Sequence, residues 1–267
     1  MGGVGKTTLA KAVYNKLVGK FKCRGFIANV KEISRQTDSL ISLQHKLIDD
    51  LSLDNTVLKR NEIEANISAN ISAIKEVIDK RKVIVVLDDV DDIGQLNALL
   101  GKKEQFCEGS RIIITTRDRD VLQENYVTLV YEVQKLDSDQ ALQLFSYHAL
   151  RREKPTDMFL NLSKQIVSLT GGLPLALEVF GAFLFDKRRI AEWEDVVGKL
   201  RKIRPDNLHG VLKISFDGLD EQHKCIFLDI ACLFVRMEMK RDDVIYVLKG
   251  CGFRAELAIT ILTAKLT

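Results

Sequence analysis

Seven residues near the start of the chain narrow its options most: Gly2-Gly3-Val4-Gly5-Lys6-Thr7-Thr8. Gly2, Gly3 and Gly5 let the backbone take positive φ, so that successive N–H groups converge on one point and can cradle an anion. A helix follows at once, because Leu9, Ala10, Val13, Tyr14 and Leu17 recur at helical spacing with Lys11 and Lys16 outside it. The positive end of that helix faces the same point. Lys6 adds a compact charge suited to β- and γ-phosphates, and the Thr7 hydroxyl is placed to ligate Mg²⁺. The run reads as a phosphate-binding loop, G-x-x-x-x-G-K-[ST], whose first glycine would sit one residue before Met1. A glycine-rich turn ahead of an ordinary helix would look similar, so the reading needs a second station.

That station is Val83-Ile84-Val85-Val86-Leu87-Asp88-Asp89. A continuous apolar, β-branched run predicts a strand buried on both faces of a parallel sheet. An acid at its end emerges at the carboxyl edge, where ligands of such sheets bind. Asp88 is the candidate Mg²⁺ carboxylate and Asp89 the candidate group to orient an attacking water. Asp91 and Asp92 read as caps, since Asp92-Ile93-Gly94-Gln95 has the form of a capping box. Thr115-Thr116-Arg117 ends the next apolar run, and an arginine there could reach a γ-phosphate. An exposed arginine beside a helix cap is the plainer alternative. Gly171-Gly172-Leu173-Pro174-Leu175 joins two helical segments, either as a tight turn or as an apolar wall for a base.

The chain of 267 residues is long enough for about two domains. A net charge of +3 is too small to suggest a nucleic-acid or membrane partner. No acid precedes Glu32, while seven basic residues do, yet the phosphate-binding loop accounts for the glycines and Lys6, and the stretch is lysine-rich where a transit peptide would be rich in arginine and serine. No apolar run is long enough to span a bilayer. The five cysteines form no C-x-x-C pair and read as free thiols of a reducing compartment, with Cys225 and Cys232 on one helical face in a core.

The first part of the chain alternates strand-like and helix-like segments, which predicts a doubly wound parallel sheet. Strands are expected at 25–30, 83–87, 111–116 and, more weakly, 129–133. Helices are expected near 41–51, 62–79, 93–100 and 118–124. Beyond Leu136 the segments 139–151, 158–169, 173–185, 190–200, 208–216 and 221–234 all have helical spacing, punctuated by Pro155, Pro174 and Pro205. The expected organisation is 1–136, 137–204 and 205–267.

These stations, in this order and spacing, resemble the NB-ARC module of plant disease-resistance receptors, which are STAND-type P-loop NTPases related to the AAA+ group. GGVGKTT, KVIVVLDDVDD (82–92), GSRIIITTR (109–117), YEVQKLDSDQALQLFSYHAL (131–150), GLPL (172–175) and CIFLDIACLF (225–234) match its successive motifs. Asp91 after Val90 and the CIFLDIACLF form look like the TIR-type subclass. The resemblance implies an α/β fold: a P-loop NTPase parallel sheet lacking its first strand, then a small helical domain, then a partial winged-helix domain. It implies a switch in which ADP holds the domains closed, exchange for ATP opens and oligomerises the receptor, and slow hydrolysis resets it. ATP/ADP and Mg²⁺ are the implied cofactors, TIR and leucine-rich-repeat domains the implied companions in the parent chain, and the cytoplasm, with the nucleus as a second site, the implied location. Carried over by position, Gly2, Gly3, Val4, Gly5, Lys6, Thr7 and Thr8 bind phosphate, and Thr7 and Asp88 hold Mg²⁺. Asp88 and Asp89 serve hydrolysis, Arg117 senses the γ-phosphate, and Pro174 touches the nucleotide.

Against that pattern, the strand feeding the loop is expected before Met1 and the family's Met-His-Asp motif beyond Thr267. The absent strand is expected between those ending at Asp88 and Thr116, which would leave both neighbours unpaired and nucleotide binding by the chain alone weak or absent. Two other readings stay open: a generic AAA+-like ATPase with a DNA-binding winged helix, and a fragment that binds no nucleotide. Residues 201–267 carry 11 Lys and Arg against 9 Asp and Glu, not the basic footprint DNA binding needs.

Overall fold

The computed structural model describes residues 1–35, 39–52, 67–101, 106–122, 127–202, 213, 216–231 and 239–266. The chain divides into two units, Met1–Val133 and Gln134–Thr267.

The first unit is built on a parallel sheet of β1 (Cys23–Ile27), β2 (Val83–Val90) and β3 (Arg111–Thr116), in that order. Around it lie α1 (Lys6–Leu17), α2 (Val30–Ile33), α3 (Ser39–Leu51), α4 (Ile67–Lys80) and α5 (Ile93–Leu100). Cys23 pairs with Val83 and Ile27 with Leu87 on one side of β2; Ile84 pairs with Arg111 and Leu87 with Ile114 on the other. The expectation of a strand between β2 and β3 is therefore wrong: the two are direct ladder neighbours, and their facing backbone groups satisfy one another.

Position in the sheet decides burial. Central β2 is buried at every position but Asp89, as its unbroken β-branched run requires, whereas edge strand β3 is only partly covered. The core beneath β1 and β2 is filled by Leu43, Leu47 and Leu51 of α3, Ile74 and Ile78 of α4, and Leu96 and Leu99 of α5. A buried amide pair ties these helices together. Gln44 donates to the Ala98 carbonyl at 2.8 Å and accepts from Asn70 at 3.2 Å. Helix α1 is less covered than its periodicity suggests: Ala10 is buried, but Leu9 and Val13 are exposed.

Three expectations about elements fail in this unit. Residues 129–133 form no strand; Leu129 is 84% and Tyr131 72% exposed, and among the described residues no strand lies in ladder with them. The described part of 118–124 is a turn closed by Leu122 N–H donating to the Arg119 carbonyl at 2.9 Å, not a helix. Asp92 caps α5 with the expected box, Gln95 reaching back, but Asp91 is no cap. Its carboxylate instead pairs with Lys31 at 3.1 Å and Arg35 at 3.2 Å. The start of the expected helix at 62–79 lies outside the described residues before Ile67.

The second unit contains α6 (Ser138–Leu150), α7 (Asp157–Thr170), α8 (Pro174–Leu184) and α9 (Ile190–Leu200), then α10 (Glu221–Asp229), α11 (Arg241–Gly250) and α12 (Ala255–Leu266). This unit holds the helices expected in 137–204 and those expected in 205–267. Trp193 is fully buried against Phe145 and Phe159, and its indole N–H donates to the Lys187 carbonyl at 3.1 Å. Leu219, Ile226, Val244, Leu248 and Ala258 form the core of the last three helices. Cys225 is exposed on α10, contrary to the expected core position, because Ile226 turns inward there; Cys232 and most of 208–216 lie outside the described residues. Among the described residues no helix is long and apolar enough to cross a membrane.

Candidate functional site

The loop before α1 takes the positive φ expected of its glycines at Gly3 and Gly5 but not at Gly2. Gly3 has φ 72° and Gly5 φ 92°, and Gly5 is the left-handed N-cap of α1. Val4 is buried and anchors the loop, while Gly2 is half-buried. No side chain caps α1, so its first N–H groups remain directed out of the helix end for an anion. Lys6 and Thr7 open the helix half-buried, and Thr8 is exposed. The Lys6 ammonium donates to the Met1 carbonyl at 2.6 Å, folding back over its own loop.

β2 brings the acids to this loop. Thr7 Oγ1 donates to Asp88 Oδ1 at 2.8 Å across 81 residues of sequence. Thr115 Oγ1, from β3, donates to the same oxygen at 2.6 Å. Asp88 is 1% exposed, so its charge is kept out of water with two hydroxyl donors as compensation. Beyond Leu87–Ile114 the register slips: the next pair is Val90–Thr116, so β2 carries one extra residue. The extra residue makes a bulge, and Asp89 within it takes φ 56°, a region non-glycine residues seldom occupy. In a regular strand Asp88 and Asp89 would face opposite sides. The bulge re-aims Asp89, whose N–H donates to Thr115 Oγ1 at 2.9 Å.

Arg117, just past β3, reaches Asp89 with both arms of its guanidinium, at 3.0 Å from Nε and 3.3 Å from the terminal nitrogen. These groups share one electrostatic corner. Burial pushes the Lys6 ammonium below its ordinary pKa and Arg117 adds to the depression, while Asp89 and Asp88 pull the other way. A cavity of about 300 Å³ opens beside the corner, lined by Lys31, Asp89, Val90, Asp91, Arg117 and Asp118.

The donor set of Asp88 and Thr7 is of a kind that fits Mg²⁺. Both offer hard oxygen atoms, and this ion commonly takes one or two protein groups and completes its shell with phosphate and water. Among the described residues no cluster of three His, Cys, Asp or Glu side chains stands ready to hold a metal by itself.

Pro174 lies in the second unit. Gly171 ends α7 at φ 60°, Gly172 follows at φ 69°, and Pro174 opens α8 at its first turn. The Gly172 carbonyl accepts from Leu136 N–H at 3.1 Å. A Cβ on Gly172 would lie 2.5 Å from the Leu136 carbonyl oxygen, so only glycine fits. Pro174 is half-buried, leaving part of its ring open. In this unit a further cavity of about 620 Å³ lies between the start of α6 and the end of α7, bordered by Asp137, Lys164, Gly171 and Gly172.

Of the residues singled out in sequence, Lys6, Thr7, Asp88, Asp89 and Arg117 converge; Thr8 makes no described side-chain contact with them. Thr115 was missed as a site residue. Its one signal was a hydroxyl two residues before Arg117; that its strand neighbours Asp88 is shown only by the β2–β3 ladder. Of the residues bordering the cavity, Lys31 carries no motif, and Asp91, part of the 82–92 motif, reads in sequence as a cap and not as a site residue.

Residues 1–155 match the NB-ARC domain family. The chain belongs to the NB-ARC family. An NB-ARC domain is a nucleotide-binding domain, which agrees with a phosphate loop facing a buried acid. Curated relatives are similar along nearly the whole chain. Disease resistance protein RPV1 of Vitis rotundifolia is 42% identical over 265 residues, covering 98% of this chain and 18% of its own length. Disease resistance protein RUN1 of the same plant is 40% identical over 268 residues, covering 99% and 19%. TMV resistance protein N of Nicotiana glutinosa is 36% identical over 272 residues, covering 99% and 23%. The chain thus spans about a fifth of the length of the relatives it matches.

Proposed function

We propose that this NB-ARC chain is the ADP/ATP-binding switch module of a plant immune receptor. The observation that carries the reading is the 2.8 Å bond from Thr7 to Asp88, which joins the phosphate loop to the acid at the end of β2, with Lys6 and Arg117 beside it. The three relatives bear the names of resistance proteins, which supports the setting.

In this reading the backbone N–H groups of Gly2 to Gly5 and of Lys6 to Thr8 cradle the phosphates, and the Lys6 ammonium leaves the Met1 carbonyl to neutralise them. Thr7 and Asp88 would hold Mg²⁺, which would supply positive charge against the phosphates. Thr115 fixes the Asp88 carboxylate by donating to it, and accepts from Asp89 N–H, so one hydroxyl orients both acids. Asp89 orients the attacking water and Arg117 contacts the γ-phosphate, giving slow hydrolysis. Pro174 contributes an apolar wall for the nucleotide. Exchange of ADP for ATP then changes the state of a longer receptor, with TIR and leucine-rich-repeat domains as its companions and self-association as the output of the ATP state.

The reading is tested by titrating the full-length protein with ADP in the presence of Mg²⁺ and again with EDTA. Binding that is tight with Mg²⁺ and weakened by EDTA supports it. No binding in either condition contradicts it.

A further inference from the structure

The fork between Arg117 and Asp89 joins the two groups that a triphosphate would need separately. The bulge and the bond from its N–H to Thr115 fix the Asp89 backbone, which sets where its carboxylate starts. Arg117 is the movable partner: its side chain is 59% exposed, and Asp89 is its described acceptor. It is also close enough to Lys6 to depress that ammonium, which places it beside the phosphate loop. A partly exposed ion pair is weakly held. A terminal phosphate offers the same guanidinium fork more charge and as many acceptors.

Resting on the nucleotide-switch reading above, we infer that Asp89 is a specificity-determining residue: by competing for Arg117 it sets the preference of the site between diphosphate and triphosphate. A diphosphate puts nothing where the γ-phosphate would be, so Arg117 stays on Asp89 and the acid stays neutralised. A triphosphate must first take Arg117 away, and the lost ion pair subtracts from its affinity alone. The same transfer leaves Asp89 without its cation, free to accept from water beside the phosphate that Arg117 now holds. Recognition of the triphosphate and readiness to hydrolyse it are therefore one event, and idle Asp89 is masked while ADP is bound.

The test is a double-mutant cycle on the full-length protein, measuring affinity for Mg-ADP and for Mg-AMP-PCP, a triphosphate analogue that is not hydrolysed. Asp89→Asn is expected to shift the preference toward AMP-PCP by about fivefold, the scale of an exposed ion pair. Arg117→Gln is expected to shift it toward ADP. In the Arg117→Gln background Asp89→Asn is expected to shift it by less than about twofold, because the partner it releases is gone. A shift that persists undiminished in that background would mean simple repulsion between Asp89 and the phosphate, and overturns the inference. So does an Asp89→Asn protein with wild-type preference. If Asp89→Asn does not fold, Asp89→Ser removes the same charge and takes its place in the cycle. Failure of the underlying reading looks different: the unaltered protein would bind neither ligand.

Discussion

The end of β2 and the turn before α8 both carry residues assigned to the nucleotide, and they are made in opposite ways. At β2 the geometry comes from distant partners: Thr7 lies 81 residues from Asp88, Thr115 27 residues from it, and the bulge that aims Asp89 exists only because β3 is in register alongside. At the turn the geometry comes from the local backbone, two glycines at positive φ and a proline that opens the helix, pinned by one bond to Leu136. The first construction places charged groups on a common point; the second shapes the path of the chain. Substitutions at the two places are therefore expected to fail differently, the corner losing ligand and the turn losing stability.

The largest effect is expected from Asp88→Asn. It keeps the shape and removes the charge that Thr7 and Thr115 serve, and Mg-dependent nucleotide affinity is expected to fall by roughly a hundredfold. Unchanged affinity by titration calorimetry would break the distinction at its strongest point. Gly172→Ala sits at the other pole. The left-handed backbone and the 2.5 Å approach to the Leu136 oxygen are expected to destabilise the second unit by about 2–4 kcal/mol. A thermal melt with an unchanged midpoint would show that the turn yields more easily than its backbone suggests.

Thr115→Val lies between the poles. It leaves the Asp89 N–H without its acceptor and takes a donor from a buried carboxylate, at a cost of about 1–3 kcal/mol. Because Thr115 orients both acids, hydrolysis is expected to slow as well. Lost stability with unaltered turnover would confine Thr115 to a packing role.

The smallest effect concerns pH. Burial works against the Asp91 carboxylate, but bonds from Gln95 and Lys31 and the charge of Arg35 hold its pKa below the ordinary value. A depressed folded-state pKa gives stability that is present above the unfolded value of about 3.9 and is lost as pH falls through the folded one. Asp91→Asn is expected to flatten the loss of stability in that acid range and leave neutral nucleotide affinity intact. The same acid slope in both proteins would remove Asp91 from the account.

What could be read in the sequence follows the same division. The glycines before Lys6, the apolar run into Asp88 and the Gly-Gly-Leu-Pro turn are local patterns whose meaning survives without knowing the neighbours. The bulge, the Thr115 bonds and the Arg117–Asp89 fork depend on which strand lies beside β2, and no pattern within β2 reports that. Residues 129–133 show the converse error. Leu129-Val130-Tyr131 has the composition of a strand, yet strand preference is a preference for a half-buried, hydrogen-bonded surface, and among the described residues no strand lies in ladder with this exposed segment. Asp91 looked like a cap because two acids preceded a helix, and only the fold brought Lys31 and Arg35 to it.

The most direct test of the nucleotide assignment is the amount of ADP that stays with the full-length protein through purification, measured for the unaltered protein and for Lys6→Ala after release by acid. The unaltered protein is expected to carry close to one ADP per chain, and Lys6→Ala at least about tenfold less, because the loop would lose the charge that neutralises the phosphates. Equal retention by the two proteins would contradict the account.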